Sequence, residues 1–346
     1  MLSLLMLTSN LAYAQSNSVV LRSRWLNYGE RDTIGSPAVF RHNPEPGVNA
    51  LFVFFETQLA PESTACPAGE WGIGAAYTFD GSSWTLIGFP LISPTSGTYY
   101  SCVAAHPTIV PLADGDSWVI YFKAEQDEGS VPATADWGTD RYTGLGRFVL
   151  SYSGGPGGGN YNYTYTLPDD DPVLQSVAQD MGYPSVVFAD GEYHMAFAQN
   201  PDVYVASSPF TTDFSVPAAP SLTANSSASG WDRDELFSPS LLCDGPSSFY
   251  LAVGGRVWDP YPTLGGQSVG VYSSSDLSTW TEEPGLLHDL DADDFEVKHL
   301  EVTTAGSLTS TGLFYTRPNN PQTRNDLWLS TTAGWSFDTV DTKRCP

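Results

Sequence analysis

Lysine is nearly absent from this chain. Lys123, Lys298 and Lys343 are its only copies, and with arginine they make 14 bases against 39 acids, a formal charge of −25. A surface this acidic repels phosphate backbones, which excludes nucleic acid as a partner. Beyond the first residues no apolar run is long enough to span a membrane as a helix. Stretches of helical period are scarce as well. A serine nucleophile elbow, a phosphate-binding glycine loop and a Cys-x-x-Cys metal pattern are all missing, which removes those chemistries from consideration. Cysteine is limited to Cys66, Cys102, Cys243 and Cys345, enough for two disulfides in an oxidising compartment.

What is plentiful points the other way. The 32 glycines and 26 prolines, with 13% aromatic and 41% hydrophobic residues, favour many short strands joined by turns around a sizeable core. Met1 to Thr8 is mostly apolar and Ala12-Tyr13-Ala14 follows. This reads as a signal peptide over 1–14, although no basic residue precedes the run and the true start would then lie upstream. The expected product is secreted, extracellular or periplasmic, with residues 15–346 forming one domain and a monomer.

An internal repeat is the strongest signal. Each unit opens with a residue followed by Pro and an apolar strand, as at Ser36-Pro37, His106-Pro107, Tyr183-Pro184 and Ser238-Pro239; a fifth copy, His299-Leu300, has lost the Pro. A tight turn follows, such as Asp114-Gly115, Asp190-Gly191 or Asp244-Gly245, a hairpin signal because both residues accept positive φ. Second strands at 51–55, 118–122, 193–198, 249–253 and 312–315 come next, then third strands near 74–77, 148–152, 203–206, 269–272 and 327–330. Most copies end with an aromatic after a turn: Trp84, Phe214, Trp280 and Trp335, the second copy lacking one. Four antiparallel strands repeated five times predict an all-β, five-bladed β-propeller. Residues 18–26 form one more strand, expected to pair with the last blade and remove a free edge.

Links between strands two and three, and between blades, are long and fall on one face, where binding and chemistry are expected. Cys66 and Cys102 both lie in such loops and are paired on that ground, leaving Cys243 with Cys345.

The segments Tyr77-Thr-Phe-Asp80-Gly-Ser-Ser-Trp84 and Tyr272-Ser-Ser-Ser-Asp276-Leu-Ser-Thr-Trp280 resemble blade endings of the five-bladed glycoside hydrolase propellers, the group containing the family 43 arabinanases and xylosidases and the family 32 fructan hydrolases. The resemblance implies a glycosidase with a base, a helper and a general acid, all carboxylates, at the channel mouth. In register these fall on Ser36, Thr108 and Gly182, and none is a carboxylate. Acids nearby are the replacements to consider: Asp32 for the base, Asp180 or Glu296 for the acid, with Asp234 and Glu301 also near the mouth. His106 and His299 start innermost strands and suit proton transfer. By the resemblance, His299 also suits a central metal ion.

The second strands end on the same face in Glu56, Lys123 and Glu125, Gln199, Arg256 and Arg317, candidates for substrate binding together with Tyr183 and Trp258. The arginines suit an acidic sugar. Trp71 is a loop aromatic suited to stacking on sugars. Asp289, Asp291 and Asp293 alternate as in half a calcium loop, so calcium or another divalent ion is a candidate there or at the mouth, although no cofactor is required. The expected function is hydrolysis of glycosidic bonds in a polysaccharide or oligosaccharide. A glycan-binding propeller without activity is the alternative, and a polysaccharide lyase using His or Tyr is the third.

Overall fold

The fold is seen in a computed structural model that describes residues 16–345 apart from 22–33, 46–47, 62, 67–68, 81–82, 127–142, 153–162, 177–179, 225–231, 233, 244–246, 258–265, 284–299, 305–310, 320–323 and 332–344. The proposed signal segment 1–14 lies outside the described residues. The described residues are all-β, with no helix among them, and no helix is long and apolar enough to cross a membrane.

The described strands form four sheets, and the nine-stranded one divides into two antiparallel units at the single parallel pair of Trp71 with Val103. The first holds β2 (Ile34–Glu45), β3 (Val48–Ala60), β4 (Glu70–Thr78) and β5 (Thr85–Ile92). The second holds β6 (Val103–Pro111), β7 (Ser117–Glu125) and β8 (Thr143–Tyr152). Its outer edge is shared by two short strands, β9 (Tyr163–Tyr165) and β10 (Leu174–Ser176). The third is β11 (Met181–Ala189), β12 (Glu192–Gln199) and β13 (Asp202–Ser208). It has three strands where four were expected, and a single bridge between Val203 and Leu222 stands in for the fourth. The fourth unit is β14 (Glu235–Cys243), β15 (Phe249–Val257), β16 (Gly266–Ser274) and β17 (Thr281–Glu282).

The fifth unit contains β18 (Leu300–Thr304), β19 (Thr311–Asn319) and β20 (Arg324–Thr331), and its outer place is taken by β1 (Ser16–Leu21) from the start of the chain. The strand expected at 18–26 to pair with the last unit is present over Ser16–Leu21, and 22–26 lie outside the described residues. For β1 and β18 to β20 only the backbone is described.

Packing joins the units in chain order. The first strand of each lies against the first strand of the next, β2 on β6, β6 on β11, β11 on β14 and β14 on β18, and β18 in turn contacts β2. The core is layered between units. Phe40, Phe52, Phe54, Ile109, Ile120 and Phe122 fill the space between the first two. Val110, Tyr121, Val186, Met195 and Phe197 fill the next.

Turn chemistry explains the repeat. Asp190 and Gly191 both take positive φ, 53° and 86°, as a two-residue hairpin requires. In the blade ending, the Asp276 carboxylate accepts the backbone N–H groups of Thr279 and Ser278 at 2.8 and 2.9 Å. These bonds hold its pKa down at about 2. Asp80 plays the same part, accepting from the Ser83 N–H at 2.7 Å. The motif is thus a fold-level turn and carries no chemistry of its own.

Both expected disulfides form, Cys66–Cys102 and Cys243–Cys345. The first staples the β3–β4 loop to the segment before β6, and Trp71 packs on it. Trp71 lies within β4 rather than in a loop, and it supports the disulfide instead of standing free to stack on a sugar.

Candidate functional site

The four residue-Pro pairs of the repeat are β-bulges. Pairing jumps from Gly35 to Ala38, Ala105 to Thr108, Gly182 to Ser185 and Phe237 to Ser240. The residue before each Pro is left-handed: Ser36 at φ 38°, His106 at 48°, Tyr183 at 53° and Ser238 at 48°. Non-glycine residues avoid this region, and such strain is retained where the surroundings enforce it, commonly at functional sites. All four pairs line one open pocket. The bulges therefore turn these side chains out of the strand pattern and onto a common mouth.

Behind the mouth lies a buried relay across three units. Glu56 is 3% exposed. Its Oε2 accepts the His106 backbone N–H at 3.0 Å and stands 3.4 Å from His106 Nε2. His106 Nδ1 in turn accepts the Tyr183 backbone N–H at 3.2 Å. A nitrogen that accepts carries no proton, so the imidazole proton sits on Nε2, facing Glu56. Both ring nitrogens of His106 thus face partners within the protein. Its ring stacks on Tyr183 with centroids 3.7 Å apart and planes 14° from parallel.

Glu56 has this reach because Gly35, opposite it on β2, has no side chain. A Cβ there would collide with Oε1. The Glu56 carboxylate thus lies beside Ser36, the position in register with the family's base. A similar exchange occurs in the third unit, where a Cβ on Gly182 would meet His106 Nδ1 at 2.9 Å and Lys123 Cδ at 3.1 Å.

Lys123 binds the next carboxylates. Its Nζ lies 2.8 Å from Glu125 and 2.7 Å from Asp180, which is the solvent-facing partner. Burial alone would push the Lys123 ammonium down. The two carboxylates more than reverse this and hold its pKa well above the ordinary value. Asp180 therefore sits two residues from Gly182, fixed from the preceding unit.

Of the residues singled out in the sequence, the structure brings Glu56, His106, Lys123, Glu125, Asp180 and Tyr183 together. Gln199 is buried at the end of β12 and Asp234 is half-buried just before β14. Glu301, Arg256 and Arg317 lie in β18, β15 and β19, where only the backbone is described for them. Asp32, Trp258, Asp289, Asp291, Asp293, Glu296 and His299 lie outside the described residues. Among the described residues no cluster of three or more His, Cys, Asp or Glu is arranged to hold a metal.

Sequence reasoning missed Ser238 as a lining residue, although the repeated Pro was the signal. It also missed Asp232, which is buried and accepts the Tyr272 hydroxyl at 3.0 Å. Burial first, and then the Asp232 charge, raise the Tyr272 pKa. Thr108, in register with the family's helper, is buried, with its hydroxyl unpartnered among the described residues.

No protein-family model matches the chain, and no curated protein matches it in sequence. Solved structures do match. An endo-arabinase from Bacteroides thetaiotaomicron VPI-5482 is 12% identical, with 92% of this chain and 98% of that one covered, at a TM-score of 0.55. A β-1,2-mannobiose phosphorylase from Listeria innocua is 11% identical, with 92% and 96% covered, at 0.60. An α-L-arabinofuranosidase from Lactobacillus brevis is 12% identical, with 91% and 95% covered, at 0.54. Along nearly its whole length, the chain has the β-propeller fold of these carbohydrate-active enzymes.

Proposed function

We propose that the chain is a closed five-bladed propeller that hydrolyses glycosidic bonds at the mouth lined by its residue-Pro bulges. Closure is supported by the ring of contacts among the first strands, from β2 through β18 and back. The observation that carries the functional reading is the set of ionisable groups beside and behind that mouth. Glu56 and Asp180 lie beside Ser36 and Gly182, the positions where the resembled family keeps its base and acid.

Glycoside hydrolysis needs one carboxylate to activate water and one carboxylic acid to protonate the leaving oxygen. Glu56 accepts the His106 N–H and faces its Nε2, so it is held ready as the base. Asp180, nearer to solvent, serves as the acid. Export and the disulfides fit an extracellular setting for such a reaction, and the domain runs from residue 15 to the last residue.

The specific observation favouring the second reading, a glycan-binding propeller without turnover, is that Ser36, Thr108 and Gly182 carry no carboxylate of their own. The test is a screen of the purified chain against a polysaccharide panel, with products read by mass spectrometry. Products heavier by one water support the hydrolase. Glycan retention without products supports the binding module. Sugar phosphates formed only in phosphate buffer would move the reaction to phosphorolysis. Unsaturated products would move it to a lyase.

A further inference from the structure

We infer that Asp190-Gly191 is a self-modifying site, where the aspartate isomerises to isoaspartate through the backbone, and that the fold protects the turn Asp114-Gly115 from the same reaction. The inference is independent of the glycan reading. The two turns share a local sequence, Ala113-Asp114-Gly115-Asp116 and Ala189-Asp190-Gly191-Glu192. In both turns the Asp and the Gly are exposed, and Gly115 and Gly191 stand at φ 79° and 86°. Their hydrogen bonds differ. The Asp114 carboxylate accepts the N–H groups of Asp116 and Ser117 at 3.1 and 2.9 Å, and the Gly115 N–H donates to the Leu112 carbonyl at 3.2 Å. At the other turn neither the Asp190 carboxylate nor the Gly191 N–H has a hydrogen-bond partner among the described residues.

The chemistry needs the two groups that Asp190-Gly191 leaves free. The Gly191 nitrogen attacks Cγ of the protonated Asp190 carboxyl, and the new C–N bond closes a five-membered imide. The Cγ–O bond breaks, and the hydroxyl leaves as water with the Gly191 amide proton. Water then adds at either imide carbonyl. Addition at Cγ restores aspartate, whereas addition at the α-carbonyl carbon leaves the chain running through Cβ and Cγ, which is isoaspartate. The sequence consumes the water that it released and needs no other reactant. Glycine obstructs the ring least, since no Cβ stands beside the attacking nitrogen. At Asp114 the same step must first break hydrogen bonds to a carboxylate, which are the stronger kind, and free the attacking N–H as well. Asp190 lies in the tightest connection of the third unit, where Ala189 pairs with Glu192 across only two residues. The isomer adds one backbone carbon there, and a two-residue hairpin has no slack to absorb it.

Timed incubation of the full chain at mildly acidic pH, well below its melting temperature, tests the site. Digestion followed by electron-transfer fragmentation separates isoaspartate from aspartate at each position. Isoaspartate is expected at 190 about tenfold faster than at 114, the effect of one carboxylate hydrogen bond that need not be broken. In urea the two rates should converge, because the local sequences match. Equal rates in the folded chain overturn the inference, and so does a faster reaction at 114. No isoaspartate at 190 over a time in which the urea-unfolded chain forms it overturns the site. A preference for 190 that persists undiminished in urea overturns the part assigned to the fold.

Discussion

Replacing Lys123 by Met should be among the most damaging changes in the molecule, and the structure gives its size. Lys123 and Glu125 are both buried, 8% and 6% exposed, and their charged atoms lie 2.8 Å apart. Removing one member of a buried ion pair leaves the other uncompensated and typically costs about 3–5 kcal/mol. Asp180, by contrast, faces solvent and can rehydrate when its partner is lost, so Asp180→Asn should cost no more than about 1 kcal/mol. Lys123→Met should therefore lower the melting temperature by several degrees, at roughly 2 °C per kcal/mol for a domain of this size. Adding Glu125→Gln should recover most of the loss, because the orphaned charge is then gone. Chemical denaturation of the parent, both single variants and the double variant measures the coupling. A Lys123→Met loss below about 1 kcal/mol, or no recovery in the double variant, would refute the claim that Glu125 depends on Lys123.

Other outcomes follow from the same geometry. Burial pushes the His42 pKa down to about 4, in a cage formed by Trp118, Tyr152 and Tyr163, with its Nδ1 2.8 Å from the Tyr163 hydroxyl. The unfolded chain then binds the proton more tightly than the folded one. Stability should fall by roughly 2–3 kcal/mol as pH drops from about 6.5 to 4, and His42→Gln should flatten that slope in melting curves. Glu56→Gln and Asp180→Asn should each lower hydrolysis about 10²–10⁴-fold. Azide should rescue the first as a lost base, and an aryl glycoside with a good leaving group should bypass the second as a lost acid. Gly182→Ala should disturb the mouth without unfolding the chain, since its Cβ would press on His106 and Lys123; raised KM with a near-parental melting temperature is the expected pattern. Breaking Cys243–Cys345, which closes 102 residues, should cost about 5 kcal/mol against about 4 for the 36-residue Cys66–Cys102 loop, read by denaturation of each Cys→Ser pair.

Much of the fold was legible because the repeat is written in residues with local physical meaning. A Pro after a polar or aromatic residue marks the bulge, Asp-Gly marks the hairpin, and Asp-x-x-x-Trp marks the outer turn closed by Asp276. The first strand, which pairs with β20, was legible from its β-rich pattern. The missing fourth strand of the third unit was not, because Phe214 supplies an aromatic anchor, 7% exposed, without continuing the ladder. At the site, Glu56, Lys123 and Glu125 were found by their places at the ends of second strands. What they do was not legible. Glu56 meets His106 fifty residues away because a bulge turns His106 and because Gly35 leaves room, and both are facts of three-dimensional register. Lys123 was a candidate for substrate binding, and its two carboxylate partners were not legible. His106 suited proton transfer by its place in the repeat, and the partners that its two ring nitrogens meet were not legible.

The most direct test of the account is a crystal structure of the chain soaked with the sugar that it releases or retains. The account predicts the sugar at the mouth among Ser36, His106, Tyr183 and Ser238, with its scissile bond toward Glu56 and Asp180. A sugar bound at full occupancy elsewhere, with that mouth holding only solvent, would contradict it.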